Sequence, residues 1–173
     1  MFLTVTLYKA IDNLQFESNL VVSRLPSTVV RKEERATFEK RLPTARKLEL
    51  EFRKQAKIHR DELILALLVN AWHESRWNPK LNSDGILQLT PTGMGQGMSV
   101  SERQNIVLTV QRFVSTERFS DWLDYSRDEK TSIGQISYKF ADHILRPKFQ
   151  YREQRRKTAI QWHKQLKPKP FVR

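Results

Sequence analysis

Asp61-Glu62-Leu63-Ile64-Leu65-Ala66-Leu67-Leu68-Val69-Asn70-Ala71-Trp72-His73-Glu74 runs through the middle of this chain. Residues 63–69 are all apolar, so a helix over 61–74 shows apolar surface on every side and is expected to be buried all round. Asp61 is placed to cap its first turn, where a carboxylate can accept free N–H groups. Pro79 disfavours helix at Asn78 and ends it. A buried helix delivers its last residues to a fixed place, and Glu74 stands there between Trp72 and Trp77. A carboxylic acid donates a proton near neutral pH only if its pKa is raised, and burial against aromatic surface raises it by desolvating the charged form. Glu74 is therefore the candidate catalytic acid. His73 points elsewhere, since adjacent helical residues do not face one another.

Downstream, residues 80–98 hold four of the five glycines, Gly85, Gly93, Gly95 and Gly97, and predict a loop or small β-hairpin. Gly93-Met94-Gly95-Gln96-Gly97 lacks the Lys-Ser/Thr ending of a phosphate loop. Ser99 and Glu102 form a capping box, and Ile106, Val107, Val110, Phe113 and Val114 make a helical stripe, so a helix is expected over 99–114. Phe119, Trp122, Leu123 and Tyr125 suggest a short helix or turn. Ile133, Ile136, Phe140 and Ile144 mark another helix, ended by Pro147, and a last one can follow from Lys148 with Tyr151, Ile160 and Trp162 as contacts. The end, 167–170, reads as extended.

Upstream, residues 31–60 carry eleven Lys/Arg and five Glu. Ala45, Leu48 and Phe52 recur at helical spacing, so an amphipathic helix is expected after Pro43. Residues 2–8 and 19–23 read as short β-like runs, suited to docking on a partner. The expected organisation is an N-terminal arm over 1–44, a mainly α domain over 45–146 and a basic tail over 147–173.

The 173 residues carry 31 Lys/Arg against 19 Asp/Glu, a net charge of +12. From Arg146 onward there are ten Lys/Arg and one acid, Glu153. Such a balance favours an anionic partner: nucleic acid, a membrane surface or an anionic wall. There is no cysteine, hence no disulfide or thiolate metal site. His59, His73, His143 and His163 lack metal-ligand spacing, so neither metal nor cofactor is expected. No run of 18 apolar residues predicts a membrane span. Residues 1–7 lack a basic start and make a poor signal peptide.

Glu74-Ser75-Arg76-Trp77-Asn78-Pro79 resembles the Glu-Ser-Arg-Phe-Asn-Pro signature of lytic transglycosylases and goose-type lysozymes. Ser83, Gly85-Ile86-Leu87-Gln88 and Pro91 are similar to that family's second motif, a Ser, then Gly-Leu-Met-Gln, then a Pro. The resemblance covers about 30 residues. It implies a lysozyme-like fold and a peptidoglycan substrate. Glu74 would protonate the bond between MurNAc and GlcNAc and then act as base toward the MurNAc 6-hydroxyl. Ser83 and Gln88 would line the sugar cleft. The gap from Ser83 to Gly85 is shorter than the family's, and its Ala-Tyr-Asn-Ala-Gly motif is absent, with Tyr125 or Tyr138 as the stand-in for its tyrosine, Tyr125 slightly preferred. The order Glu74, Asp84, Thr90 is also similar to the trio of phage-type lysozymes, which use water. Asp84 is thus a possible second carboxylate, and Thr90 a substrate contact; an inverting pair would stand about 6.5–9.5 Å apart. Asp84 is equally a turn residue before Gly85.

The resulting expectation is a peptidoglycan-cleaving enzyme of a phage, carried in the virion tail or baseplate or released to the periplasm and cell wall. Its arm and tail would dock on other virion proteins. The alternative is a structural virion protein with an inactive domain of this kind. Nucleic-acid binding is the weakest reading, because it leaves residues 74–88 unexplained.

Overall fold

The computed structural model describes residues 18–146 and 148–169. The β-like run at 2–8 and the chain end from residue 170 lie outside the described residues. Within them the fold is mainly α: seven complete helices and no strand. The helices are α1 (Arg35–Ala56), α2 (Asp61–Ser75), α3 (Val100–Gln104), α4 (Ile106–Val114), α5 (Glu117–Ser126), α6 (Ile133–Phe140) and α7 (Phe149–Gln165). Three 3-10 turns precede α1, and a π-helical turn, Ala141–Leu145, extends α6.

Helix α2 is the axis of the molecule. Residues 63–69 are each at most 3% exposed, as an apolar run on all faces requires. It packs against α1, α6 and α7. Two aromatic clusters flank it. Phe38 of α1, Trp72 and Trp77 around the end of α2, and Trp162 of α7 form one, with the Trp72 and Trp77 rings 4.9 Å apart. Phe52, Phe113, Phe119, Trp122 and Phe140 join α1, α4, α5 and α6 in the other. Gly134 lets α6 lie close on α7, since a Cβ there would meet Ile160 Cδ1 at 2.9 Å.

Several local expectations change in the fold. Helix α1 begins at Arg35 and runs through Pro43, which faces solvent. Phe38 is fully buried among three tryptophans. Packing therefore holds the first turns of α1, outweighing the lost hydrogen bond at Pro43. The boundary expected at residue 44 thus falls inside a helix. The run 19–23 forms no strand. Its N–H groups at Val21 and Val22 bond the buried Glu49 carboxylate at 2.9 and 3.0 Å, and a 3-10 turn, Val22–Arg24, follows. Asp61 is not an N-cap: it opens α2, and its carboxylate pairs with Arg24, Arg53 and Lys169. The helix expected over 99–114 is two helices. Ser99 and Glu102 make the capping box of α3, and Asn105 ends α3 and caps α4 by accepting from Val107 and Leu108 N–H.

The segment 80–98 is a succession of turns, with no hairpin. Its carbonyls find arginines where cross-strand amides were expected. Arg103 donates to Ser83 O and Met98 O, and Arg112 to Met94 O and Gln96 O. The basic segment after residue 147 supplies α7, whose Ala159 and Trp162 are in the core, while Tyr151 is exposed.

Candidate active site

Glu74 lies in the last turn of α2. That turn ends abruptly, because Arg76 and Trp77 both take left-handed backbone conformations (φ 52° and 54°) and Arg76 N–H closes onto Trp72 O at 2.8 Å. Ser75, buried beside Glu74, shares its one hydroxyl proton between Ala71 O at 3.1 Å and Ile86 O at 2.9 Å. The second bond pins the Gly85-Ile86-Leu87-Gln88 segment to the end of the helix. Gly85 takes φ +74°, and a Cβ there would meet Arg103 O at 1.8 Å, so only glycine fits.

The two segments enclose a pocket of about 200 Å³. Glu74, Gln88, Thr90 and Met94 line one side. Arg118 from α5, and Ile144, Leu145 and Arg146 from the π-helical turn, line the other. That turn is closed by Arg146 N–H onto Ala141 O at 2.7 Å, with Arg146 left-handed at φ 52°. Three consecutive residues at its end, Ile144, Leu145 and Arg146, border the hollow.

The tryptophans expected around Glu74 lie elsewhere, in the cluster with Phe38 and Trp162; Trp77 is fully buried there and donates to Leu68 O at 2.8 Å. What meets Glu74 is Arg155 of α7, whose Nη2 donates to Glu74 Oε1 at 2.6 Å. Arg155 also reaches Asn70 Oδ1 at 3.4 Å. Asn70 donates to Ala66 O and to Ser137 Oγ at 2.8 and 3.1 Å, and Ser137 donates to Arg155 O at 3.4 Å. Glu74 is therefore held by a buried polar network drawn from α2, α6 and α7. Its second oxygen, Oε2, has no hydrogen-bond partner among the described residues. Nothing short-range in the sequence marks Arg155, which lies 81 residues from Glu74. Its spacing from Ala159 and Trp162 (four and seven residues) does place it on the buried stripe of α7.

Of the other candidates, Gln88 and Thr90 share the pocket with Glu74, and Ser83, Asp84 and Tyr125 do not line it. The Gln88 amide donates to Gly85 O at 2.6 Å. Asp84 faces Arg103 at 3.8 Å and accepts from the Ser83 hydroxyl. Tyr125 is exposed on α5, under Lys139. His73 turns away from Glu74 and lies 3.0 Å from the Thr158 hydroxyl. Burial, then the nearby charges of Arg155 and Arg76, push its pKa down to about 3. Among the described residues no three His, Asp or Glu side chains gather as metal ligands, and no helix is long and apolar enough to cross a membrane.

Larger hollows exist. One of about 540 Å³ lies beside Leu20, Leu50 and His59, and another of about 440 Å³ beside His73 and Thr158. Neither combines a carboxylate at a helix end with both sequence motifs, as the Glu74 pocket does.

The chain matches no family model, no curated protein and no solved structure.

Proposed function

We propose that the chain is a peptidoglycan-cleaving enzyme of the lysozyme-like kind that breaks the β-1,4 bond between MurNAc and GlcNAc, with Glu74 as its catalytic carboxyl group. The observation that carries this reading is Ser75. Its hydroxyl joins the Glu74 segment to the Gly85–Gln88 segment, so the two motifs that resemble lytic transglycosylases meet at one pocket with Glu74 in its wall.

A single-carboxylate mechanism fits best. Among the described residues Glu74 is the only carboxylate lining the pocket, and Asp84 is engaged with Arg103. The aromatic burial expected beside Glu74 is absent and Arg155 occupies Oε1, so the proton for the acid step must be carried on Oε2; it passes to the glycosidic oxygen as the bond from MurNAc C1 to that oxygen breaks. The carboxylate then takes the proton of the MurNAc 6-hydroxyl while O6 bonds to C1, yielding a 1,6-anhydro end. Arg155 is a positioning residue that holds the carboxylate through Oε1 and leaves Oε2 for the substrate. The net charge of +12 would favour approach to an anionic wall. A place in a phage virion, reached through the flanking segments, belongs to the same proposal.

The test is digestion of purified peptidoglycan with the protein and with Glu74→Gln, followed by mass spectrometry of the fragments. Anhydro-ended products are expected, falling by at least about 100-fold in the variant, the scale of a lost general acid. Reducing-end products would transfer the reading to a hydrolase and make Asp84 the next target. No product from either protein would favour the structural virion role.

A further inference from the structure

Arginines near the Glu74 pocket fall into two groups. Arg155 pairs with Glu74, Arg103 with Ser83 O and Met98 O, and Arg112 with Met94 O and Gln96 O. These hold the walls. Arg118 and Arg146 line the same pocket, are exposed, and have no ion pair or side-chain hydrogen bond among the described residues. They come from different elements, α5 and the residue after the π-helical turn, and both border one hollow of about 200 Å³. Glu74 does not need them as counter-ions, since Arg155 already pairs with it at 2.6 Å. Two arginines without partners bordering one pocket can offer it an anion site, since the guanidinium's fork of donors matches a carboxylate.

We propose that Arg118 and Arg146 form a carboxylate clamp that selects glycan strands by an acidic group carried on the muramyl O3 substituent next to the cleavage point. This rests on the peptidoglycan reading of the pocket. The carboxylate has two sources. In a peptide-free strand it is the end of the lactyl ether itself. In a peptide-bearing strand that group is an amide, and the acid belongs to the stem peptide.

Binding tests the clamp separately from cleavage. The full chain carrying Glu74→Gln would be titrated with soluble glycan strands, peptide-bearing or stripped by an amidase, each with its carboxylates free or converted to methylamides. Free carboxylates are expected to bind on the order of tenfold tighter, the scale of one charge-assisted hydrogen bond. Adding Arg118→Gln and Arg146→Gln should bring the ratio to about one. Adding Lys47→Gln and Lys130→Gln, two exposed positions outside the pocket lining, removes the same charge and should leave the ratio intact. The strand type that shows the ratio identifies the source of the acid. A ratio that survives the arginine changes, or falls equally with the lysine changes, overturns the clamp while leaving the peptidoglycan reading in place. Equal binding of free and methylamide strands by the parent does the same. Failure of every strand to bind overturns both.

Discussion

Gly85 and His73, on either side of the Glu74 segment, each constrain the fold through one local feature. Gly85 has a left-handed φ and Arg103 O where a Cβ would be. Gly85→Ala forces a main-chain shift and is expected to cost about 2–4 kcal/mol, read as a lower urea midpoint with an unchanged slope. His73 is held neutral, its pKa lowered to about 3 by burial and by the charges of Arg155 and Arg76. The unfolded chain takes up its proton near 6.5, the ordinary value. Between these values the unfolded state binds more protons, so stability falls as pH drops from 6.5 toward 3, by up to about 1.4 kcal/mol per pH unit. Denaturant titrations at pH 7 and pH 5 should show this loss in the protein and a smaller one in His73→Gln, which keeps a donor for Thr158.

At the scale of elements, α1, α2 and the turns before α1 are tied by a charge network. Glu49 accepts from Val21 and Val22 N–H and from Arg53, and Arg53 and Arg24 both reach Asp61 at the start of α2. Burial works to raise the Asp61 pKa. The hydrogen bonds from Arg53 and Arg24, with the charges of Arg24 and Lys169, outweigh it and hold the carboxyl below its ordinary 3.8. A depressed folded pKa gives a contribution present above about pH 4 and lost as pH falls through the folded value. Asp61→Asn is expected to lower stability at pH 7 by roughly 1–3 kcal/mol and to flatten the acid limb below pH 4, measured by thermal melts across that range. The same network explains why 19–23 is not a strand: a buried carboxylate satisfies its amides without a neighbouring strand.

For the whole molecule, the basic C-terminal segment is part of the core. Trp162 sits at 1% exposure in the aromatic cluster, and Arg155 supplies the partner of Glu74. A chain ending at residue 146 is expected to lose cooperative unfolding, seen as a collapsed near-UV circular dichroism signal and a broad melt, since it would open the core beside α2 and strand Glu74 and Asn70. A folded truncation with a sharp melt would show that 1–146 is self-sufficient.

The amino-acid sequence alone specified the buried central helix, because an apolar run with no polar face can only be interior. It also determined the Glu74 terminus, the capping box at Ser99 and the stripes of α4, α5 and α6, all of which rest on residues within a turn or two of each other. The tertiary structure decided the rest. Packing of Phe38 carried α1 back through Pro43, and arginines from α3 and α4 took the carbonyls that a hairpin would have used. The tryptophans beside Glu74 in the chain joined Phe38 and Trp162, and Arg155 met the carboxylate. The physical reason is range. Helical periodicity and capping are local, whereas the partner of a buried charge is chosen by whichever distant element the fold brings to it.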